Sequence, residues 1–195
     1  ISGEKGHFEV EVLKHPRYVD MEKCIACGTC FEKCTKKVDD EYNENLMKRK
    51  SIYVPYQQAV PLKYVIERET CIYFQKGKCK ACEKFCPSDA IVWDDAEKEI
   101  DLEVGAVILS PGVERYDAAM RQELGYGRWP NVVSSIQFER ILSASGPTGG
   151  QIKRRSDGKH PGRMAFIQCV GSRDASCVNE YCSSVCCMVA TKEAI

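Results

Sequence analysis

The sequence predicts a mixed α/β and α+β protein, in which a small cysteine-bound domain is set into part of a larger sheet-based domain. Three observations predict it. Thirteen cysteines among 195 residues fall into three tight groups instead of scattering. Ahead of the first group, HFEVEVLKHPRYVD alternates apolar and polar positions at Phe8, Val10 and Val12, which reads as a strand. Between the second and third groups runs AIVWDDAEKEIDLEVGAVILSPG, a hairpin signal followed by the continuous apolar stretch Ala106 to Leu109. Such a stretch suits a strand buried on both faces. The length allows one or two domains.

Charge excludes some functions. The chain carries 28 basic and 28 acidic residues, a balance that argues against a general nucleic-acid or membrane-surface binder. No apolar run approaches the roughly 18 residues of a membrane-spanning helix. A basic-then-apolar leader is also missing, and the sequence opens at Ile1, so we read a soluble, cytoplasmic piece of something longer.

The cysteines are Cys24, Cys27, Cys30 and Cys34; Cys71, Cys79, Cys82 and Cys86; then Cys169, Cys177, Cys182, Cys186 and Cys187. Secreted disulfide proteins are usually short, with cysteines spread between loops. Groups of four favour metal ligation in a reducing compartment.

The first run, CIACGTCFEKC, has the spacing C-x2-C-x2-C-x3-C. A short loop of this kind aims three thiolates at one [4Fe-4S] cubane, and the next helical turn carries the fourth cysteine toward a second. The second run, CIYFQKGKCKACEKFCP, keeps C-x2-C-x3-C-P with Cys71 eight residues upstream of Cys79. Two such runs imply exchanged ligands: Cys24, Cys27 and Cys30 with Cys86, and Cys71, Cys79 and Cys82 with Cys34. Pro87 suits a chain turning away without a backbone donor. Zinc also takes four thiolates, but usually from two separated C-x2-C pairs. Residues 19 to 95 thus resemble the two-cluster bacterial ferredoxins, with Thr35 where Pro is usual and a long spacer between the runs.

Within that spacer, SIYVPYQQAVPLKYVIERET predicts an extended segment and then a short helix over about 61–69. Tyr53 and Tyr56 read as packing residues in preference to redox relays. The charged stretch KVDDEYNENLMKRK reads as a solvated loop or a partner-facing surface. His7, His15 and His160 have no ligand spacing and read as surface residues. GPTGGQIKRRSDGKHPG lacks P-loop order and reads as a loop.

GAVILSPG resembles the strand-and-glycine segment of thioredoxin-reductase-type flavoproteins, although no G-x-G-x-x-G is present. The resemblance implies FAD contacts at Ser110, Pro111 and Gly112. MAFIQCVGSRDASCVNEYCSSVCCMVATKEA resembles the A chain type of heterodisulfide reductase, a flavoprotein with a ferredoxin domain inserted in its FAD-binding fold. That family places a further cubane on a motif matching Cys169, Cys182, Cys186 and Cys187, leaving Cys177 as the unpaired thiol. Cys169 is expected at a strand end after Ala165-Phe166-Ile167, and Cys177 in a polar loop facing solvent. Adjacent Cys186 and Cys187 do not share one face of a regular helix, so they are expected at a helix entrance. The resemblance also implies that Glu139 and Lys192 lie near the flavin, where a cation stabilises the reduced anion and a carboxylate relays a proton.

The implied organisation is a flavin-domain strand over 1–18, an inserted two-[4Fe-4S] ferredoxin domain over 19–97, and part of the FAD-binding domain with a third cluster over 98–195. The implied function is an oxidoreductase component of a flavin-based electron-bifurcating complex, passing electrons between FAD, the clusters, ferredoxin and a disulfide-reducing subunit. Two alternatives stay open: a ferredoxin-like carrier with no catalytic site, and the same component in a quinone-linked or sulfate-reduction module.

Overall fold

The structure, a computed structural model, describes residues 1–195. It divides into two compact units: residues 1–39 with 48–112, and residues 40–47 with 113–195.

The first unit opens with β1 (Ser2–Glu4) and β2 (His7–Lys14), joined by a tight turn. The alternation read at Phe8, Val10 and Val12 is a strand. Its antiparallel partner, β7 (Lys98–Val104), lies far along the sequence. The register sets Phe8 opposite Val104, Val10 opposite Leu102 and Val12 opposite Ile100, an apolar ladder. The pairing continues as a neck beyond the sheet. The Arg17 and Tyr18 amides donate to Asp95 Oδ2 at 2.9 and 3.2 Å, and Val19 bridges Ile91. His15 is exposed and meets Glu97 at 2.8 Å.

Between these strands the first unit forms one knot of short elements: α1 (Thr29–Lys33), β3 (Lys37–Asp39), β4 (Lys48–Lys50), β5 (Ile52–Tyr53), β6 (Val65–Ile66), α2 (Ile72–Lys76) and α3 (Ala81–Lys84). The core is small: Tyr18, Val19, Ile52, Ile66 and Ala90 are buried together with the thiols of Cys24 and Cys30. Trp93, Tyr73 and Phe74 pack against it as an aromatic cluster, with Tyr73 and Trp93 centroids 4.2 Å apart.

Two expectations for the spacer are corrected. No helix forms over 61–69; Val65 and Ile66 instead pair antiparallel with Tyr53 and Ile52. β-branched residues fit a pleated, half-buried surface better than a helix turn, and Ile66 gains burial there. Nor is KVDDEYNENLMKRK a solvated loop. It folds as the β3–β4 hairpin with a single 3-10 turn, Glu41–Asn43, at its tip. Asp40, Asn43 and Arg49 are buried. Asp40 accepts the Asn43 amide, and Arg49 pairs with Glu67 at 2.5 Å and lies 3.9 Å from the Tyr53 ring centroid.

In the second unit, α4 (Ser135–Leu142) starts at a capping box in which Ser134 and Gln137 exchange side-chain and backbone hydrogen bonds. It packs on α5 (Cys186–Ala194). The chain that connects them has no helix or strand over 146–162, the loop the sequence implied, and forms one 3-10 turn, Ala175–Cys177, further on.

A third expectation is corrected here. Ala106 to Leu109 is no strand, and it is exposed: Ile108 retains 91% of its surface. A strand buried on both faces needs neighbours at its edges and a layer on each side, and no strand within 1–195 pairs with this run. The same holds for Ala165-Phe166-Ile167, which lies in no strand, so Cys169 does not sit at a strand end.

Candidate metal centres

Cys24 and Cys27 lie on a loop, and Cys30 in the first turn of α1. Ala26 (φ 56°) and Gly28 (φ 84°) both take the left-handed conformation, which costs glycine nothing, and α1 begins at once after Gly28. The result gathers the three thiols around one apolar cavity of about 300 Å³. Cys86, from the second run, lines the same cavity, and Tyr64 closes a side. The Ala90 amide donates to Cys86 Sγ at 3.3 Å, and Lys63 caps the Cys24 carbonyl.

Cys71, Cys79 and Cys82 surround a second cavity, of about 370 Å³, and the fourth thiol there is Cys34 from the first run. Cys71 precedes α2, Cys82 lies in α3, and the turn between takes three positive φ angles, at Gly77, Cys79 and Lys80. Ile52, Ile66 and Trp93 supply the apolar wall. α1 and α3 pack together, which is how the last cysteine of each run reaches the other's cavity.

Burial pushes the Cys30 thiol up to about 12, with the nearby Cys24, Cys27 and Cys86 adding to it. Cys82 is likewise pushed up to about 12, by burial first and then by Cys71, Cys30 and Cys34. Cys27, exposed and hydrogen-bonded to the Thr29 hydroxyl at 3.4 Å, is held below its ordinary value. Four thiols against an apolar wall become thiolates only beside compensating cations, which is the condition an iron–sulfur centre provides. The donor set fits that group: four sulfurs per cavity and no histidine or carboxylate lining either wall. No three or more His, Cys, Asp or Glu side chains converge as ligands of one lone metal ion.

A third gathering of thiols lies in the second unit. Residues 171–181 fold back as a small hairpin: Asp174 bridges Asn179, the Arg173 amide donates to the Tyr181 carbonyl at 3.0 Å, and the Ser172 hydroxyl donates to the same oxygen at 2.9 Å. Cys169 and Cys182 flank its two ends. Cys186 and Cys187 occupy the first two positions of α5, the helix entrance that adjacent ligands require. Hydrogen bonds from Ser183 and then the Cys169 backbone hold Cys186 below its ordinary value. The charge of Cys186 first, with Cys169 and Cys182 beyond it, holds Cys187 above its own. The four thiols share one neighbourhood.

Residues 17–36 match the family of 4Fe-4S binding domains. The whole chain is 47% identical, over 194 residues, to the iron-sulfur A-type subunit of CoB–CoM heterodisulfide reductase from Methanocaldococcus jannaschii, covering 100% of this chain and 29% of that protein. It is 48% identical over 192 residues to the A-type subunit numbered 2 of the Methanopyrus kandleri enzyme, covering 98% and 28%. With the A-type subunit of the ferredoxin:CoB-CoM heterodisulfide reductase of Methanosarcina mazei, identity is 41% over 193 residues, covering 98% and 24%. The chain belongs to the HdrA family of heterodisulfide reductase subunits. It spans less than a third of the length of the relatives it matches.

In this HdrA-family segment, one expectation for the third group fails. Cys177 does not face solvent. It is half-buried, 3.3 Å from the Tyr116 hydroxyl, with Arg121 and Asp174 also within reach of its sulfur. Arg121 donates to Asp174 and to Glu123, so a charged clamp holds the hairpin from outside. The Tyr116 ring lies so close over Gly171 that any Cβ there would strike it.

The residues that the resemblance assigns to a flavin fall in both units. Ser110, Pro111 and Gly112 are exposed and outside any element, and a Cβ on Gly112 would meet nothing. Glu139 and Lys192 fall on the packed pair α4 and α5, where Glu193 joins them. Burial, and then the charge of Glu139, raises the Glu193 carboxyl, while Lys192 opposes the rise.

Sequence reasoning missed the supporting groups. Thr29, two residues after Cys27, carried a readable signal, since a hydroxyl at that spacing reaches a loop thiol. Tyr64, Lys63 and the Tyr116–Arg121 clamp carried none, because they act on distant chain: Lys63 on Cys24, Arg121 on Asp174 and Tyr116 on Cys177 lie 39, 53 and 61 residues apart in sequence.

No helix is long and apolar enough to cross a membrane.

Proposed function

We propose that this segment is the iron–sulfur electron-transfer part of a heterodisulfide-reductase-like oxidoreductase. Cys24, Cys27, Cys30 and Cys86 would hold one [4Fe-4S] centre, Cys71, Cys79, Cys82 and Cys34 a second, and Cys169, Cys182, Cys186 and Cys187 a third. The observation that carries the reading is the exchange of cysteines: each cavity draws three thiols from one run and the fourth from the other. That exchange is what C-x2-C-x2-C-x3-C spacing serves in proteins with two clusters.

Bound there, such centres supply reversible one-electron storage. The chain's own residues do the rest. The thiolates hold the metal, and the apolar walls of Ile52, Ile66, Ala90 and Ile91 exclude water and so limit charge screening. The Thr29 hydroxyl and the Ala90 amide sit within reach of sulfur, where they would offset negative charge. The cytoplasmic setting, the division into strand, insert and flavin-domain parts, and the partnership with ferredoxin and a disulfide-reducing subunit in electron bifurcation all belong to the same reading. Several relatives support it by name: they are subunits of ferredoxin-linked heterodisulfide reductases. FAD, with Ser110, Pro111, Gly112, Glu139 and Lys192 beside it, belongs to the longer protein on family resemblance alone.

The test is anaerobic analysis of iron and acid-labile sulfide in the full-length protein, with this segment's cysteines replaced one group at a time. Each intact group accounts for about four of each, so the segment holds about twelve. A contribution near eight removes the third centre, and tightly bound zinc in place of iron removes the whole reading.

A further inference from the structure

Two buried polar groups of the first unit have no partner. Ser51 is 1% exposed, and its hydroxyl makes no hydrogen bond; the indole N–H of Trp93 is likewise buried and unpaired. Both residues line the second cavity, together with Cys34, Cys71, Cys79 and Cys82. No residue lining the first cavity carries such an atom, and there the Ser88 hydroxyl already lies 3.7 Å from Cys86 Sγ. Other contacts hold the two side chains in place. The Ser51 carbonyl accepts the Glu67 amide at 2.8 Å, beside the Arg49–Glu67 ion pair. The Trp93 ring packs on Tyr73 and Phe74, with centroids 4.2 and 5.6 Å away.

A buried donor without an acceptor is destabilising, and native proteins seldom carry two beside one cavity unless something there takes them up. An indole N–H can only donate, so its missing partner is an acceptor. A [4Fe-4S] centre brings such acceptors, in its sulfides and its thiolate ligands. The structure assigns the Ser51 hydroxyl and the Trp93 N–H as hydrogen-bond donors to sulfurs of the second centre, where they raise its reduction potential. Reduction adds one electron to the centre, with no bond broken and no proton moved. The added negative charge strengthens a hydrogen bond to sulfur, so the reduced form gains more from both donors than the oxidised form does. This rests on the iron–sulfur reading above and adds to it two residues, outside both cysteine runs, that tune one centre and not the other. A buried water could satisfy the same two atoms, and in that case the potential would be indifferent to them.

The experiment is a redox titration of the iron-loaded full-length protein with dithionite, followed by electron paramagnetic resonance. The second centre is recognised as the signal that Cys79→Ala removes. Ser51→Ala and Trp93→Phe are each expected to lower the equilibrium constant for its one-electron reduction about tenfold, which is about 59 mV, with iron content and the first centre's potential unchanged. Ser51→Thr keeps the hydroxyl and is expected to stay near the wild-type potential. Electron–nuclear double resonance of the reduced second centre in H2O and D2O reads the same bond directly: one exchangeable proton coupling is expected to vanish in Ser51→Ala. Should Trp93→Phe load less iron, the Ser51 variants and the proton coupling decide. A second centre at wild-type potential in Ser51→Ala overturns the assignment, as do equal shifts at both centres. A Ser51→Thr shift as large as that of Ser51→Ala also overturns it, because packing and not the hydroxyl would then be the cause. Absence of iron in the wild-type protein sinks the underlying reading instead, which the iron assay distinguishes.

Discussion

Cys177 differs from the other twelve cysteines in what it touches. Its sulfur meets the hydroxyls of Tyr116 and Ser176, the Arg121 guanidinium and the Asp174 carboxylate. Serine keeps a donor and acceptor in that place, so Cys177→Ser is expected to leave iron content and cluster spectra unchanged. Arg121→Ala is another matter. It frees Asp174 at the hairpin that spaces Cys169 from Cys182, and the iron of the full-length protein should fall by about four, with the centres of the first unit retained. Iron analysis with electron paramagnetic resonance separates the two variants; a third centre untouched by Arg121→Ala would show that the clamp positions nothing. Cys86 tests the exchange of ligands at the same scale. Because it lines the cavity of Cys24, Cys27 and Cys30, Cys86→Ala should disturb that centre first. Loss confined to the centre of Cys71, Cys79 and Cys82 would mean that each run holds its own.

Among the elements, the β5–β6 pair stands on an ion pair the charge pattern did not announce. The Arg49 side chain is 9% exposed and Glu67 22%, and Thr70 donates a second hydrogen bond to the carboxylate at 2.6 Å. Burial works against ionisation of Glu67, but the bonds from Arg49 and Thr70 outweigh it and hold its pKa below the usual 4.5. A depressed carboxyl stabilises the fold fully above its unfolded pKa and loses that contribution as pH falls through its folded pKa. Thermal melts should therefore show an acid-side loss of stability below about pH 4.5 that Glu67→Gln largely abolishes. At neutral pH, Glu67→Gln leaves Arg49 buried without its counter-charge, a cost on the order of 3 kcal/mol. At α4 the expected effect is smaller: Ser134→Ala removes one side of the capping box and should cost about 1 kcal/mol by denaturant titration.

For the molecule as a whole, metal and core are hard to separate. The buried residues of the first unit are few, and two of the seven in its central cluster are the thiols Cys24 and Cys30. A core of that size rarely holds a fold alone, and structural metals commonly supply the difference. Stripping iron with a chelator under reducing conditions should abolish cooperative unfolding of this unit; a melt unchanged by iron removal would show that the apolar core suffices. The same thinness explains what could be read in advance. Cysteine spacing is a local signal, so the two runs and their exchange were legible from residues alone, as was the strand at Phe8, Val10 and Val12. What depended on distant partners was not. The Val65–Ile66 pairing, the buried polar tip around Asn43 and the Tyr116–Cys177 contact each join residues that nothing nearby in sequence connects. Ala106 to Leu109 misled in the other direction, because an apolar run states a capacity for burial and not the presence of a cover.

The neck at Lys14 and Lys98 carries a consequence of its own. Chain enters and leaves the cysteine-rich insert through neighbouring positions of one antiparallel ladder, with Lys14 opposite Lys98. Seen from the host sheet, the insert is a single very long hairpin loop. Loop closure grows only logarithmically with length, about 0.6 kcal/mol for each doubling. An ancestor could thus have acquired or enlarged such a module without altering the strands that carry it. Grafting works by the same arithmetic: the stretch from His15 to Glu97, spliced into another protein's β-hairpin, brings its own closure at the neck and asks of its new host two antiparallel strands in register and partners for the tip at 40–47, which Arg115 and Arg140 supply here.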